Sequence, residues 1–236
     1  MSLCCLGSIN EEVSTYACFT SKPAEMSSKV IKFLTGSERS DYPELFRAMH
    51  IARRIQFIDR LGWDLQVDVD GEEFDQFDTS SAMYVIVTDE EGAHLGSARL
   101  LPSVLPNLTN EVFLKRLGVN PIVDSKTWEC SRFCVSKRDR KVASQLILGI
   151  AHLASLGCFT NCLAVYDKRM ERVYRAYQIN PRKLSLQHLE TDEVKFGLWR
   201  FDRAIYKDML ARLRIDPTRI AKVPNRADGS AVYLAA

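Results

Sequence analysis

Trp128-Glu129-Cys130-Ser131-Arg132-Phe133-Cys134-Val135 is the stretch on which the reading of this chain turns. Apart from one carboxylate and one guanidinium its residues are apolar, aromatic or small, the pattern of a strand inside a core. A Glu and an Arg in such a strand cost free energy unless they are paired or used. Glu129 and Arg132 are therefore the first candidates for function. Strict alternation puts them on opposite faces. Either a bulge intervenes, or Glu129 faces a substrate while Arg132 ties the other side to an acidic loop.

The rest of the chain supplies such a loop. Asp64, Asp68, Asp70, Glu72, Glu73, Asp75 and Asp78 crowd one segment, interleaved with Trp63, Phe74 and Phe77. An acidic run is usually a solvated loop, but one carrying rings suits a small cationic ligand through charge pairing and cation–π contact. The helix expected before it, over 41–60 with Asp41 as cap and Pro43 in its first turn, puts Arg53 and Phe57 on one face. Arg99 is a second guanidinium in an otherwise apolar strand, and Gly96 beside it marks a bulge or a close backbone approach.

Strands are expected over 27–34, 82–88, 94–101, 128–135, 160–166, 183–189 and 194–201. Helices are expected over 110–117 and 141–156, after Asp167, and from Asp202 to about 214. The alternation implies one α/β domain, a mixed sheet with helices on both faces. Residues 1–28 are expected as an N-terminal extension, 29–215 as the domain and 216–236 as a C-terminal tail.

At 236 residues, 46% hydrophobic and 26% charged, the chain can bury a sizeable core. A net charge of +2 argues against a dedicated nucleic-acid binder. No apolar run approaches the ~20 residues that span a bilayer, and no secretory signal is evident. The 7 cysteines form no Cys-x-x-Cys pair, so reduced thiols in the cytoplasm are expected rather than a disulfide framework or a metal site. No Gly-x-Gly-x-x-Gly or P-loop is present. His50, His94, His152 and His188 have no Ser or Cys partner at readable spacing.

Four blocks in order carry a resemblance: Arg53-x3-Phe57-x5-Trp63; Glu73-Phe-Asp75-Gln-Phe-Asp78; Ser97-Ala-Arg99-Leu-Leu-Pro102; and Trp128-Glu129-x-Ser131-Arg132-Phe133-x-Val135. Over about residues 30–215 the chain resembles the LuxI-type acyl-homoserine-lactone synthases, the autoinducer synthases of quorum sensing. The resemblance implies a GNAT-like three-layer α/β/α sandwich around a splayed sheet. The GNAT pyrophosphate loop is missing, since Arg138-Asp-Arg-Lys-Val-Ala-Ser has no glycine. The implied reaction acylates the amine of S-adenosylmethionine from a thioester of acyl carrier protein or CoA. The methionine carboxylate then closes the lactone and expels methylthioadenosine, with S-adenosylmethionine as substrate and no cofactor.

The first step needs a general base, and the resemblance points to Glu129, with Ser131 and Arg132 beside it. Arg53, Phe57, Trp63, Asp75, Asp78, Arg99 and Phe133 are the expected S-adenosylmethionine site and acidic-loop network. The arginines pair the acids, and Phe57, Trp63, Asp75 and Asp78 receive the substrate's cations. Met83, Ser103, Leu146, Leu163 and Val165 are the expected acyl pocket. Lys137, Arg138, Arg140, Lys141, Lys168, Arg172 and Arg175 would form a dock for an acidic carrier. The alternatives are a GNAT-type N-acyltransferase with a different amine acceptor, and a non-catalytic ligand sensor.

Overall fold

Each apolar-periodic segment becomes an element of one sheet or one of its covering helices. The computed structural model describes residues 29–136, 139–179, 181–184 and 194–224. In chain order the elements are β1 (Val30–Thr35), α1 (Pro43–Arg54), β2 (Met83–Thr88), β3 (His94–Pro102), β4 (Thr127–Val135) and α2 (Arg140–Ser155). There follow β5 (Asn161–Asp167), α3 (Lys168–Ala176), β6 (Arg182–Lys183), β7 (Val194–Arg200) and α4 (Arg203–Leu213). The expected 1–28 extension, most of the expected 183–189 strand, and Lys137 and Arg138 of the basic group lie outside the described residues.

The strands form one seven-stranded sheet in the order β1-β2-β3-β4-β5-β7-β6. All neighbours run antiparallel except β4 and β5. Alternation sorts the side chains of the strands to two faces. Ile31, Phe33, Val85, Val87, Ala98 and Leu100 pack with Leu146, Ile147, Ile150 and Leu153 of α2. Leu34, Tyr84, Ile86 and Leu101 pack with Leu45, Phe46 and Met49 of α1 on the other face. This is the expected three-layer sandwich in a single α/β domain. The expected close approach at Gly96 is present: a Cβ there would lie 2.6 Å from Val142 of α2 and 2.9 Å from the Cys134 carbonyl.

Local signals set most helix ends. Asp167 accepts from the Arg169 and Met170 amides, and Asp202 from the Ala204 and Ile205 amides; both are N-caps. Asp41 is not one. Pro43 occupies the first helical position, which makes Tyr42 the cap residue, and its side chain makes no capping bond. The expected helix to residue 60 is α1 followed by a π-helical turn, Ile55–Asp59, and the expected 110–117 helix opens as another, Thr109–Leu114. The first nine residues of the expected tail are ordered in part against the sheet, where Ile220 bridges Ile31 and the Ala221 amide donates to the Ile31 carbonyl at 2.8 Å.

The sheet opens in its middle. β4 pairs with β5 only from Thr127 to Glu129, opposite Asn161 to Leu163. Both strands continue, β4 along β3 to Val135 and β5 along β7 to Asp167. Beyond Glu129 they diverge, and the wedge between them has walls but no ladder.

Candidate active site

A bulge settles which faces Glu129 and Arg132 use. Between the register pairs Ser97↔Cys134 and Arg99↔Ser131, β3 contributes one residue, Ala98, and β4 contributes two, Arg132 and Phe133. Arg132 takes a left-handed backbone, φ 52°, a conformation that costs a non-glycine residue about 1–3 kcal/mol and clusters at functional sites. The extra residue turns Arg132 to the side that already holds Glu129 and Ser131. Phe133 goes to the opposite face, against the α2 core.

On the α1 face three guanidiniums meet three carboxylates. Arg53 donates Nε to Glu73 at 2.6 Å and both terminal nitrogens to Asp78 at 2.8 Å. Arg99 holds Asp75 at 2.5 and 3.1 Å, touches Asp78 at 3.0 Å and donates Nε to Ser131 Oγ at 3.2 Å. Arg132 reaches Glu73 at 2.9 Å and Asp75 at 2.9 Å. Tyr84 completes Asp78 with a hydroxyl donated at 2.8 Å. The formal charges cancel, which is the condition for burying so many.

Asp78 is enclosed, its side chain 2% exposed, whereas Asp75 keeps 19%. Burial works against the Asp78 carboxylate, but Arg53 and then Arg99 outweigh it and hold its pKa far below the usual range. Burial likewise opposes the charge on Arg53 and Arg99, and Asp78 leads the interactions that raise both. Burial, then Asp78, pushes the Tyr84 phenol well up. Both Asp78 oxygens are thus used internally, and Asp75 is the acid of the pair that faces solvent. Arg53 rather than its neighbour Arg54 enters the network; Arg54 lies toward Asp59 at 3.9 Å on the outside.

The π-helical turn after α1 widens the helix where Phe57 points inward, a feature common at functional sites. Phe57 lies under the Arg132 guanidinium at 5.8 Å and stacks on Trp63 at 4.9 Å and 15°. Trp63 is 43% exposed, so the stack presents one aromatic surface to solvent beside Asp75 and Arg132.

Glu129 stands at the last rung between β4 and β5 and is 1% exposed. One oxygen, Oε2, accepts from the Thr109 amide at 2.5 Å. The other, Oε1, is buried and accepts nothing among the described residues. A buried carboxylate oxygen without a partner is costly. It is open to a hydrogen bond from a ligand in the wedge.

Behind the wedge, on the α2 face, an apolar cavity is lined by Cys130 and Phe133 of β4 and Cys162 and Ala164 of β5. Ile147 and Ile150 of α2 complete it, with Tyr174, Ile179, Trp199 and Phe201 beyond. None of the five residues expected for an acyl pocket lines it. Met83 and Leu146 are core residues on the same face. Leu163 is buried between Cys162 and Ala164 but faces the other way, and Val165 packs with Leu114 and Phe196. Ser103 exchanges hydrogen bonds with the Asp124 backbone.

Several residues of the site were not singled out from sequence. Glu73, shared by Arg53 and Arg132, had its signal in the Glu-Phe-Asp-Gln-Phe-Asp run. Tyr84 reads as an ordinary strand residue, and the Thr109 contribution is a backbone amide with no sequence signature. His50 holds the loop from below. Its Nδ1 lies 3.1 Å from Glu72, its carbonyl accepts from the Glu73 amide at 3.3 Å, and its ring lies 6.0 Å from Phe74.

Comparison with known proteins gives a consistent result. Residues 37–193 match the family model described as autoinducer synthase. The chain is 36% identical over 178 residues to an acyl-homoserine-lactone synthase of Rhizobium etli, covering 71% of this chain and 81% of that protein. It is 32% identical over 134 residues to one of Pseudomonas chlororaphis, covering 56% and 67%. The fold is that of a CoA-dependent acyl-homoserine lactone synthase, BjaI, with SAM and isopentyl-CoA. The TM-score is 0.73 at 21% identity, over 86% of this chain and 97% of that one.

Proposed function

The chain belongs to the autoinducer synthase family, and from that membership we propose that it is an acyltransferase making an N-acyl-L-homoserine lactone. Its substrates are S-adenosylmethionine and an acyl thioester, of acyl carrier protein or CoA. The observation that carries the reading is Glu129, one oxygen held by the Thr109 amide and the other buried without a partner, at the rung where the sheet opens.

S-adenosylmethionine lies on the α1 face. Its flat base and sulfonium meet the Phe57–Trp63 stack through dispersion and cation–π attraction. Asp75, the exposed acid of the network, attracts its positive charge, and Arg132 is the guanidinium nearest the stack to clamp the carboxylate. Asp78 and Glu73 act one step back, by fixing the arginines. The α-ammonium gives a proton to Glu129, directly or through one water, and the free amine attacks the thioester carbon. Backbone N–H groups along the wedge, which have no partner strand, supply donors to the oxyanion. The thiolate leaves and takes a proton as the amide forms. The carboxylate then attacks the γ-carbon, the C–S bond breaks with its electrons on sulfur, and methylthioadenosine departs from the lactone. The acyl tail passes through the wedge into the apolar cavity behind it. We place the enzyme in the cytoplasm, where both substrates are made; no helix of the described residues is long and apolar enough to cross a membrane.

The test is a reaction of purified protein with S-adenosylmethionine and a mixture of acyl-CoA and acyl carrier protein thioesters, followed by mass spectrometry. Equimolar acyl-homoserine lactone and methylthioadenosine are expected. An acylated amine without methylthioadenosine would point to the simple N-acyltransferase instead.

A further inference from the structure

We propose that Trp199 is the end wall of the acyl cavity and restricts this enzyme to short acyl groups, of roughly four to six carbons. The inference rests on the synthase reading above and adds the size class of its acyl donor. Three observations carry it.

The first is register. The cavity begins at Cys130 and Ala164, each one residue past the last β4–β5 rung at Glu129 and Leu163. Trp199 is the register partner of Cys162 on β7, so the cavity runs from β4 across β5 to β7. At the last paired rungs β4, β5 and β7 span two strand spacings, roughly 10 Å, and the wedge widens from there. Carbon contact at about 4 Å on the closing wall leaves length for roughly four to six chain carbons.

The second is that the wall is rigid. The Trp199 indole donates Nε1 to the Ile179 carbonyl at 2.9 Å. Tyr174 and Tyr166 pack edge-on against it with centroids at 4.7 and 5.5 Å. The third is the residue beneath it. Gly197 lies under the ring so closely that a Cβ would come within 2.7 Å of it and 2.8 Å of Pro181. The ring therefore folds back over Gly197 on its own strand, hydrogen-bonded in a buried setting, and cannot swing aside without losing that bond. A longer tail would have to displace it.

The experiment measures methylthioadenosine release and kcat/KM for C4, C6 and C10 thioesters in the full-length protein. Wild type, Trp199→Leu, the milder Trp199→Phe and Ala164→Leu are compared, with thermal melts to confirm folding. Wild type is expected to prefer C4 or C6 over C10 by tenfold or more, since each methylene that a pocket must reject is worth about 10–200-fold. Both Trp199 variants should raise the C10:C4 ratio, Trp199→Leu by tenfold or more, with KM for S-adenosylmethionine within twofold. Ala164→Leu, which fills the near end that every tail must pass, should depress C4 and C6 alike; unchanged rates with both in that folded variant would take the tail out of this cavity. A wild type that favours C10, or a ratio unmoved in a folded Trp199 variant, overturns the proposal while leaving the synthase reading intact. Absence of methylthioadenosine with every thioester overturns that reading, and this inference with it.

Discussion

Glu73→Gln isolates what the buried charge network contributes. Glu73 is 1% exposed and, among the described residues, is the one acid that links Arg53, at 2.6 Å, to Arg132, at 2.9 Å. The substitution keeps the shape and one acceptor oxygen but leaves three guanidiniums facing two carboxylates. Breaking a buried ion pair from one side costs about 3–5 kcal/mol, because a desolvated charge loses its counter-charge. Asp78 and Asp75 still serve the two arginines, so the lower end, about 3 kcal/mol, applies. For a domain of this size each kcal/mol lowers Tm by about 2–4 °C, which predicts a fall of roughly 6–12 °C. Thermal unfolding followed by circular dichroism reads it directly. The double variant Glu73→Gln/Arg132→Met removes a charge of each sign and should recover a good part of the loss, since pairs replaced by apolar groups are often nearly neutral. A single-variant shift below about 2 °C, or a double variant worse than the sum of its parts, would refute the account.

Glu129→Gln keeps the Thr109 contact through its carbonyl oxygen and removes the proposed proton acceptor. Expect kcat to fall by about 10²–10⁴ with KM for S-adenosylmethionine little changed; steady-state rates at the wild-type level would deny the base its role. His50→Leu loses a hydrogen bond to the Glu72 carboxylate, a link between α1 and the acidic loop worth about 1.5–3 kcal/mol of stability. It should lower Tm by roughly 3–12 °C, and His50→Asn should recover part of it; an unchanged Tm in His50→Leu removes the histidine from the loop's anchoring. Burial holds the His94 imidazole down at about 4, against an ordinary 6.5. Between those values the unfolded chain binds a proton that the folded protein refuses, so stability is lost as pH falls from 6.5 towards 4. His94→Gln should flatten Tm across that window, and an equal slope in both proteins would assign the loss elsewhere.

Asp78 adds a second acid-sensitive element with the opposite chemistry and the same direction. Its carboxylate is held ionised by Arg53 and Arg99, so its contribution is complete above the ordinary value of 3.8 and is lost only as pH falls further, towards its depressed folded value. Asp78 is therefore still ionised wherever His94 begins to matter.

The sequence by itself determined the elements and the chemical inventory. Alternation and helical spacing are local signals, so β3, β4, β5 and α2 stand within a residue or two of where the pattern placed them. The motif blocks named Arg53, Arg99, Arg132, Asp75 and Asp78, and all five share one ion-pair network. What only the tertiary structure decided is which way these residues face and whom they meet. One extra residue in β4, invisible to period-two counting, brings Arg132 to Glu129's side of the sheet. Glu73 became the shared acid because a loop 59 positions earlier folds over that bulge. The apolar cavity depends on where two strands stop pairing, and part of its lining comes from β7. None of these is a property of any one segment: each arises when surfaces distant in sequence are packed to contact. Trp128–Val135 is a buried strand from its composition alone; it becomes the floor of a site through the bulge and the wedge.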